Sequence, residues 1–323
     1  MDSMNKRERL EATVAGEAVD RSAVALWRHF PGDDQRAADL AAAHIWWQQT
    51  YDFDLLKVTP ASSYCTQDWG VEIEWRGGDE GTSAYRNHII DRPEDWLALP
   101  VLDPGRGNLA MAREAVRLTC EALGPDVPVI MTVFSPLAQA RHLAGPNLLA
   151  HLREHPQAVL AGFEVVTQSI IRFVESLAGT GVAGIYYAAQ WADPLHLNRE
   201  EYSRFGKAFD LRILEAAGGH WFNMLHAHGL GVYLDMFSDY PVQAVNWHDR
   251  EAGPSLAEAA AILPQALSGG LDRWTVHRGT PDDVRREAAD ALEQTGGRRL
   301  ILSTGCVTMT NSPLSNLRAV VGW

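Results

Sequence analysis

Short apolar runs recur along the chain, and each is followed by a stretch in which apolar residues return every three or four positions. The runs at 22–27 (SAVALW), 53–58 (FDLLKV), 127–134 (VPVIMTVF) and 182–188 (VAGIYYA) have the composition and length of strands. The second half adds 221–227 (WFNMLHA), 242–247 (VQAVNW), 264–269 (PQALSG) and 299–304 (RLILST). Helical patterns lie between and beyond them, at 33–51, 108–123, 156–179, 199–218, 255–263, 280–296 and 312–321. Eight strands alternating with helices predict an α/β fold of the (β/α)8 TIM-barrel type, with an open doubly wound sheet as the alternative. No GxGxxG or GxxxxGK[ST] follows the first strand, which argues against the nucleotide-binding version of that alternative. One segment breaks the alternation. Residues 71–90 (VEIEWRGGDEGTSAYRNHII) alternate in polarity around a Gly-rich turn and read as a β-hairpin inserted after the second strand. It would sit at the C-terminal mouth of a barrel, as a lid or as a contact in a homodimer. No linker, repeat or charge block marks a border, so residues 1–323 read as a single domain.

Composition narrows the function. The 323 residues carry 28 Lys+Arg against 41 Asp+Glu, a net charge of −13, which excludes the basic surface that nucleic acid binding requires. The three cysteines, Cys65, Cys120 and Cys306, form no CxxC pair and cannot supply a disulfide framework. The start is charged and lacks an apolar signal core, and no run of 18 apolar residues occurs. The expectation is a cytoplasmic protein that handles a small molecule, with neither a nucleic acid nor a membrane partner.

Barrel enzymes place their chemistry at the C-terminal ends of the strands, which provides a filter on the polar residues. It retains Arg28 and His29 after the first strand, Lys57 and Thr59 after the second, and Tyr187 and Gln190 after the fourth. It then retains His226 and His228 after the fifth, Asn246, His248 and Asp249 after the sixth, Asp272 after the seventh and Cys306 after the eighth. In a strand, His-x-His puts both imidazoles on one face. With one thiolate they leave a fourth position for water or substrate, the open arrangement of a catalytic zinc. The competing reading makes the histidines ordinary polar residues and Cys306 a core filler.

The other candidates also keep two readings. Arg28 is either a bidentate clamp for a substrate anion or a rim ion pair. His248 is a general base or a fourth ligand oriented by Asp249, unless the NWHDR run merely caps a helix. Tyr186 and Tyr187 donate hydrogen bonds to substrate or pack. His44, His142, His151, His155 and His220 read as surface or satisfied histidines, and Trp27, Trp191 and Trp247 as walls of an apolar pocket.

The opening at 5–27 (NKRERLEATVAGEAVDRSAVALW) resembles the lead into strand one of the uroporphyrinogen decarboxylase superfamily. The ending at 279–321 resembles that family's last helix, strand and helix, and MLHAHG, QAVNW and SGGLDR fall where it carries the motifs of strands five, six and seven. The resemblance implies a (β/α)8 barrel. True uroporphyrinogen decarboxylases, which are lyases, need two arginines in strand one and an aspartate after strand two. Here only Arg28 matches, and Thr59 stands where the aspartate belongs, which disfavours tetrapyrrole decarboxylation.

The other branch of the superfamily holds zinc-dependent methyltransferases that work with corrinoid proteins. Its signature is His-x-Cys after strand five and Gly-Cys after strand eight. Gly305-Cys306 and His226 match, whereas His228 replaces the cysteine, which keeps a competent ligand and removes one negative charge. The resemblance therefore implies zinc at His226, His228 and Cys306, and methyl transfer between a corrinoid and a thiol or other acceptor. Arg28 would hold an anionic group and His248 would carry a proton or ligate. No B12-binding module is read in this chain, so the corrinoid is expected on a separate protein. The alternatives are a lyase acting on a carboxylated substrate and a non-catalytic tetrapyrrole- or corrinoid-binding protein.

Overall fold

Each of the eight apolar runs folds as a strand of one parallel sheet in the computed structural model, which describes residues 3–321. The strands are β1 (Ala23–Val24), β2 (Leu56–Val58), β5 (Val129–Phe134), β6 (Gly184–Gln190), β7 (Met224–His228), β8 (Ala244–Trp247), β9 (Ala266–Leu271) and β10 (Leu300–Thr304). Two further strands, β3 (Ile73–Glu74) and β4 (Ala84–Tyr85), pair antiparallel inside the 71–90 segment, with Ile73 opposite Tyr85. The large sheet runs in the order β1-β10-β9-β8-β7-β6-β5-β2, so chain neighbours are sheet neighbours and β1 and β2 form its two ends. Nearly every residue of β5 to β10 is buried, as a parallel sheet covered on both faces demands. The architecture is TIM-barrel-like.

Helices cover the outer face. The longest, Pro156–Ser176, starts on a proline, where no intrahelical N–H is lost, and drives Val159, Phe163, Val166, Ile170 and Phe173 into the core. It is long and apolar enough by composition to cross a membrane, although the sequence contains no unbroken apolar run of that length. Half of its most apolar window is buried inside the fold, as in a core helix.

The seam between β1 and β2 is closed mainly by side chains. One backbone bond crosses it, from Asp54 N–H to the Val24 carbonyl at 2.9 Å. The fully buried Asp54 carboxylate returns the link by accepting from Val24 N–H at 2.9 Å. It also accepts from Arg9 at 2.7 Å and from Arg21 at 2.6 and 3.0 Å, while Arg9 turns a second edge to Asp20 at 2.8 and 2.7 Å. These groups come from the opening RER and VDR, so that stretch acts as a clasp at the N-terminal end of the sheet.

Removing one partner of a buried ion cluster strands the others, at a cost of about 3–5 kcal/mol. Asp54→Ala should therefore lower the urea midpoint by that equivalent with an unchanged slope, read by circular dichroism. A loss below about 1 kcal/mol would show that the clasp is dispensable.

Candidate metal centre

Four side chains converge at the C-terminal ends of β7, β8 and β10. His226 and His228 are two residues apart on β7, so the strand period brings both to the interior while Ala227 turns away. His248 follows β8, and Cys306 follows β10 after Gly305. A Cβ at Gly305 would lie 2.7 Å from the Trp247 carbonyl, so the close approach of the two strand ends requires glycine there. One donor atom from each of His226, His228, His248 and Cys306 lies within 4.8 Å of all the others.

Neighbours decide which nitrogen each ring presents. Asn246 spends its amide N–H groups on the Ser268 and Thr304 carbonyls, at 2.9 and 3.1 Å, so its oxygen faces His226. His226 Nδ1–H donates to that oxygen at 2.7 Å and Tyr186 O–H donates to it at 3.1 Å, which turns Nε2 of His226 toward the cluster. His248 Nδ1 is held by Glu251 at 2.9 Å, again leaving Nε2. His228 presents Nδ1, at 3.2 Å from His226 Nε2, 3.5 Å from His248 Nε2 and 4.0 Å from Cys306 Sγ. A tetrahedral ion at ordinary Zn–N and Zn–S bond lengths has edges of about 3.3 Å between nitrogens and about 3.6 Å between nitrogen and sulfur. The donors fit such a group in number, type and spacing.

The electrostatics agree. Burial alone would raise the Cys306 thiol, but the three histidine rings gathered around its sulfur more than reverse this and hold it well below its usual value. Burial lowers His226 to about 4, so it is neutral. Burial works against His248 as well, yet the Cys306 sulfur and Glu251 together raise it to about 9. Without a cation between them, the pair is a thiolate beside an imidazolium.

Beside the cluster lies a cavity of about 380 Å³ lined by Trp27, Lys57, Arg141, Tyr186, Gln190 and the 80–85 segment among others. Lys57 is buried, with Nζ 3.1 Å from Thr59 Oγ1 and 4.5 Å from the Tyr186 ring centre. Burial lowers its pKa to about 7, against the opposing pull of Cys306. His29 and His142 also line the cavity, each lowered to about 3, chiefly by burial.

Several sequence expectations need correcting. Tyr187 is on the outer face of β6, where it donates to the buried Asp210 at 2.6 Å alongside Tyr202 and Tyr240; the inward tyrosine is Tyr186. Arg28 donates to the Thr310 carbonyl at 2.5 Å and lies over the rings of Phe30 and Trp47, so rim packing engages it rather than the cavity. Asp249 turns away to accept from Gly270 N–H at 2.8 Å, and Glu251 takes the orienting place on His248. His142 lines the cavity, whereas His44 is a satisfied core histidine bonded to Leu40 and Thr59. Trp247 is fully buried and donates to the Pro254 carbonyl, and only Trp27 of the three proposed wall tryptophans lines the cavity. Sequence reasoning missed Glu251, Arg141 and the bracing role of Asn246. The His248–Glu251 spacing of three on a helix start was the available signal for the first of these.

A curled eight-stranded parallel sheet with ligand-type side chains gathered at its C-terminal strand ends defines a TIM-barrel-like protein with a candidate metal centre. The chain belongs to the uroporphyrinogen decarboxylase (URO-D) family, which it matches over residues 5–323. It is 22% identical over 321 residues to the methylcobamide:CoM methyltransferase MtbA of Methanosarcina acetivorans, covering 96% of this chain and 89% of that protein. It is 21% identical over 346 residues to the methylcobamide:CoM methyltransferase MtaA of Methanosarcina barkeri, covering 99% and 98%. A solved methyltransferase from Methanosarcina mazei superposes with a TM-score of 0.87 at 18% identity, covering 99% of this chain and 98% of that one.

Cys65 is raised far above the ordinary thiol range and Cys120 to about 12, both chiefly by burial, so Cys306 should be the reactive thiol of the metal-free protein. A thiol of ordinary pKa, about 8.5, loses reactivity roughly tenfold per pH unit below that value. Alkylation of Cys306 by iodoacetamide, followed by mass spectrometry, should instead stay nearly flat as the pH falls through neutrality. A tenfold fall per unit there would contradict the thiolate assignment.

Proposed function

We propose that the chain is a zinc-dependent methyltransferase that moves a methyl group between a corrinoid carried on a separate protein and a small thiol or similar acceptor. The observation that carries this reading is the convergence of His226 Nε2, His228 Nδ1, His248 Nε2 and Cys306 Sγ within 4.8 Å of one another beside a cavity. The likeness to proteins named methylcobamide:CoM methyltransferases supports the same reaction class. His226, His228 and Cys306 would hold the ion, with His248 as the further ligand. When bound, zinc supplies Lewis acidity that favours the thiolate form of an acceptor thiol.

The remaining work falls to the chain itself. Asn246 and Glu251 fix ring orientation, so donor atoms need not reorganise during turnover. Lys57 and Arg141 take the place expected of Arg28 and orient the polar end of an acceptor within the cavity. Trp27 and the Tyr186 ring, against which Lys57 Nζ packs, exclude water beside it. Lys57 is poised by burial near half protonation at neutral pH, which suits it to release or receive the acceptor's proton. The strand order and the β3–β4 pairing support a closed (β/α)8 barrel, one domain over 1–323, with the 71–90 hairpin at its mouth.

Elemental analysis of untagged protein should find about one zinc per chain, lost in His228→Ala together with zinc-dependent demethylation of methylcobalamin by thiols. No metal above trace after zinc is added back would overturn the reading and leave carboxylated substrates at Lys57 and Arg141 to be tested. Binding should also release a proton, because His248 is protonated below about 9 while Cys306 is already a thiolate. Calorimetry in buffers of different ionisation enthalpy should read about one proton released near neutral pH, falling toward zero above pH 9. Uptake of a proton, or none exchanged, would contradict the imidazolium–thiolate pair.

A further inference from the structure

The tip of the 71–90 segment is fastened to the C-terminal strand ends. The Asp79 carbonyl accepts from Thr310 N–H at 2.8 Å and from Thr310 Oγ1 at 3.1 Å, on the loop that also carries Cys306. Gly81 has φ of +79°, and a Cβ there would lie 2.7 Å from His29 Cβ and 2.8 Å from Thr310 Cγ2, so only glycine lets the strap lie this close. Between these anchors, Glu80 accepts from Arg273 Nη1 at 2.6 Å. Arg273 then donates through Nε to Glu251 Oε1 at 3.0 Å, and the same oxygen is 2.9 Å from His248 Nδ1. A continuous line of charge-assisted bonds therefore joins the strap to the ring nitrogen opposite the donor atom of His248. Glu80 also lines the cavity, so whatever enters there meets the first member of the line.

We infer that Glu80, Arg273 and Glu251 are positioning residues, and that closure of the 75–83 strap sets how firmly His248 serves as a ligand. The inference rests on the metal reading of the site. Glu251 makes His248 a better donor by accepting its Nδ1–H, and it can do so only as far as Arg273 leaves its oxygen electron-rich. With the strap closed, Glu80 shares the guanidinium charge. When the strap lifts, Arg273 bears on Glu251 alone, the hold on His248 weakens, and that position becomes easier to vacate. Entry of an acceptor past the strap would thus loosen the one ligand that does not belong to the His226, His228 and Cys306 set. By linkage, a metal ion that engages His248 must favour the closed strap by the same factor.

The test uses the full chain with Co²⁺ and Zn²⁺ alone. Affinity is read by competition with a chelator, and the coordination sphere by the thiolate-to-cobalt and ligand-field bands. Loss of an outer-shell partner typically weakens a metal site 10–100-fold, so Glu80→Gln should weaken Zn²⁺ binding about tenfold and shift the cobalt ligand-field bands. In an Arg273→Met background Glu80→Gln should change Zn²⁺ binding no further, because Glu80 reaches Glu251 only through Arg273. In the wild type, Zn²⁺ should slow amide exchange across 79–82, and Glu80→Gln should abolish that protection. Glu80 is half-exposed, so this variant keeps the fold even if Arg273→Met does not, and a thermal melt checks it. Wild-type binding that Glu80→Gln leaves within twofold, with cobalt bands and exchange unchanged, overturns the strap coupling while the metal reading stands. A wild type that binds neither ion overturns both.

Discussion

The two end strands of the curled parallel sheet meet across one backbone hydrogen bond, and a buried carboxylate carries the rest of the join. β1 and β2 spend their ladders on β10 and β5, and Asp54 makes the join between them by accepting from Val24 N–H, Arg9 and Arg21 at once. The arrangement is costly in isolation, because each buried ion loses its hydration, and it holds only because every charge finds several partners. What depends on it lies at the opposite end of the sheet. Lys57 on β2 faces the cavity beside β6, β7 and β10 only if the ends of the sheet are brought around to meet. The charged opening of the chain, far from the chemistry, is therefore a condition of the chemistry.

The cluster itself is an electrostatic problem that the surrounding strands solve. Ring nitrogens set about 3.2–3.5 Å apart around a thiolate turn their lone pairs on one another unless a proton or a metal ion lies between them. The fold keeps them there with neighbours on rigid strands. Asn246 is fixed by two carbonyls and in turn fixes His226 and Tyr186, so one amide on β8 ties together β6, β7, β9 and β10. This is the arrangement expected of a site meant to accept a cation without rearrangement.

What could be read from the chain, and what could not, follows from the range of the forces involved. The strands were legible because burial on both faces leaves continuous apolar runs, and His226 with His228 because a period of two is a local property. The same period has no absolute phase in a doubly buried strand. Tyr186 and Tyr187 are therefore indistinguishable until packing shows that one meets Asn246 and the other Asp210. Arg28 takes the rim alternative: it lies over Phe30, two residues on, and Trp47, while its Thr310 partner, 282 residues away, leaves no local trace. The Glu80–Arg273 pair spans 193 residues and was invisible for the same reason.

The imidazole at position 228 bears on what the site is built to do. A second thiolate there would add negative charge to any bound ion and raise the nucleophilicity of a thiol acceptor; His228 withholds that charge. The surroundings compensate in part, since Glu251 on His248 and the Asn246 oxygen on His226 each raise the donor strength of a neutral ring. They do so in an adjustable way, because a carboxylate shared with Arg273 can be strengthened or weakened by what Glu80 does, whereas a thiolate charge is permanent. On the proposed reading, a donor set of three imidazoles and one thiolate would trade fixed nucleophilicity for a centre whose character depends on whether the cavity is closed.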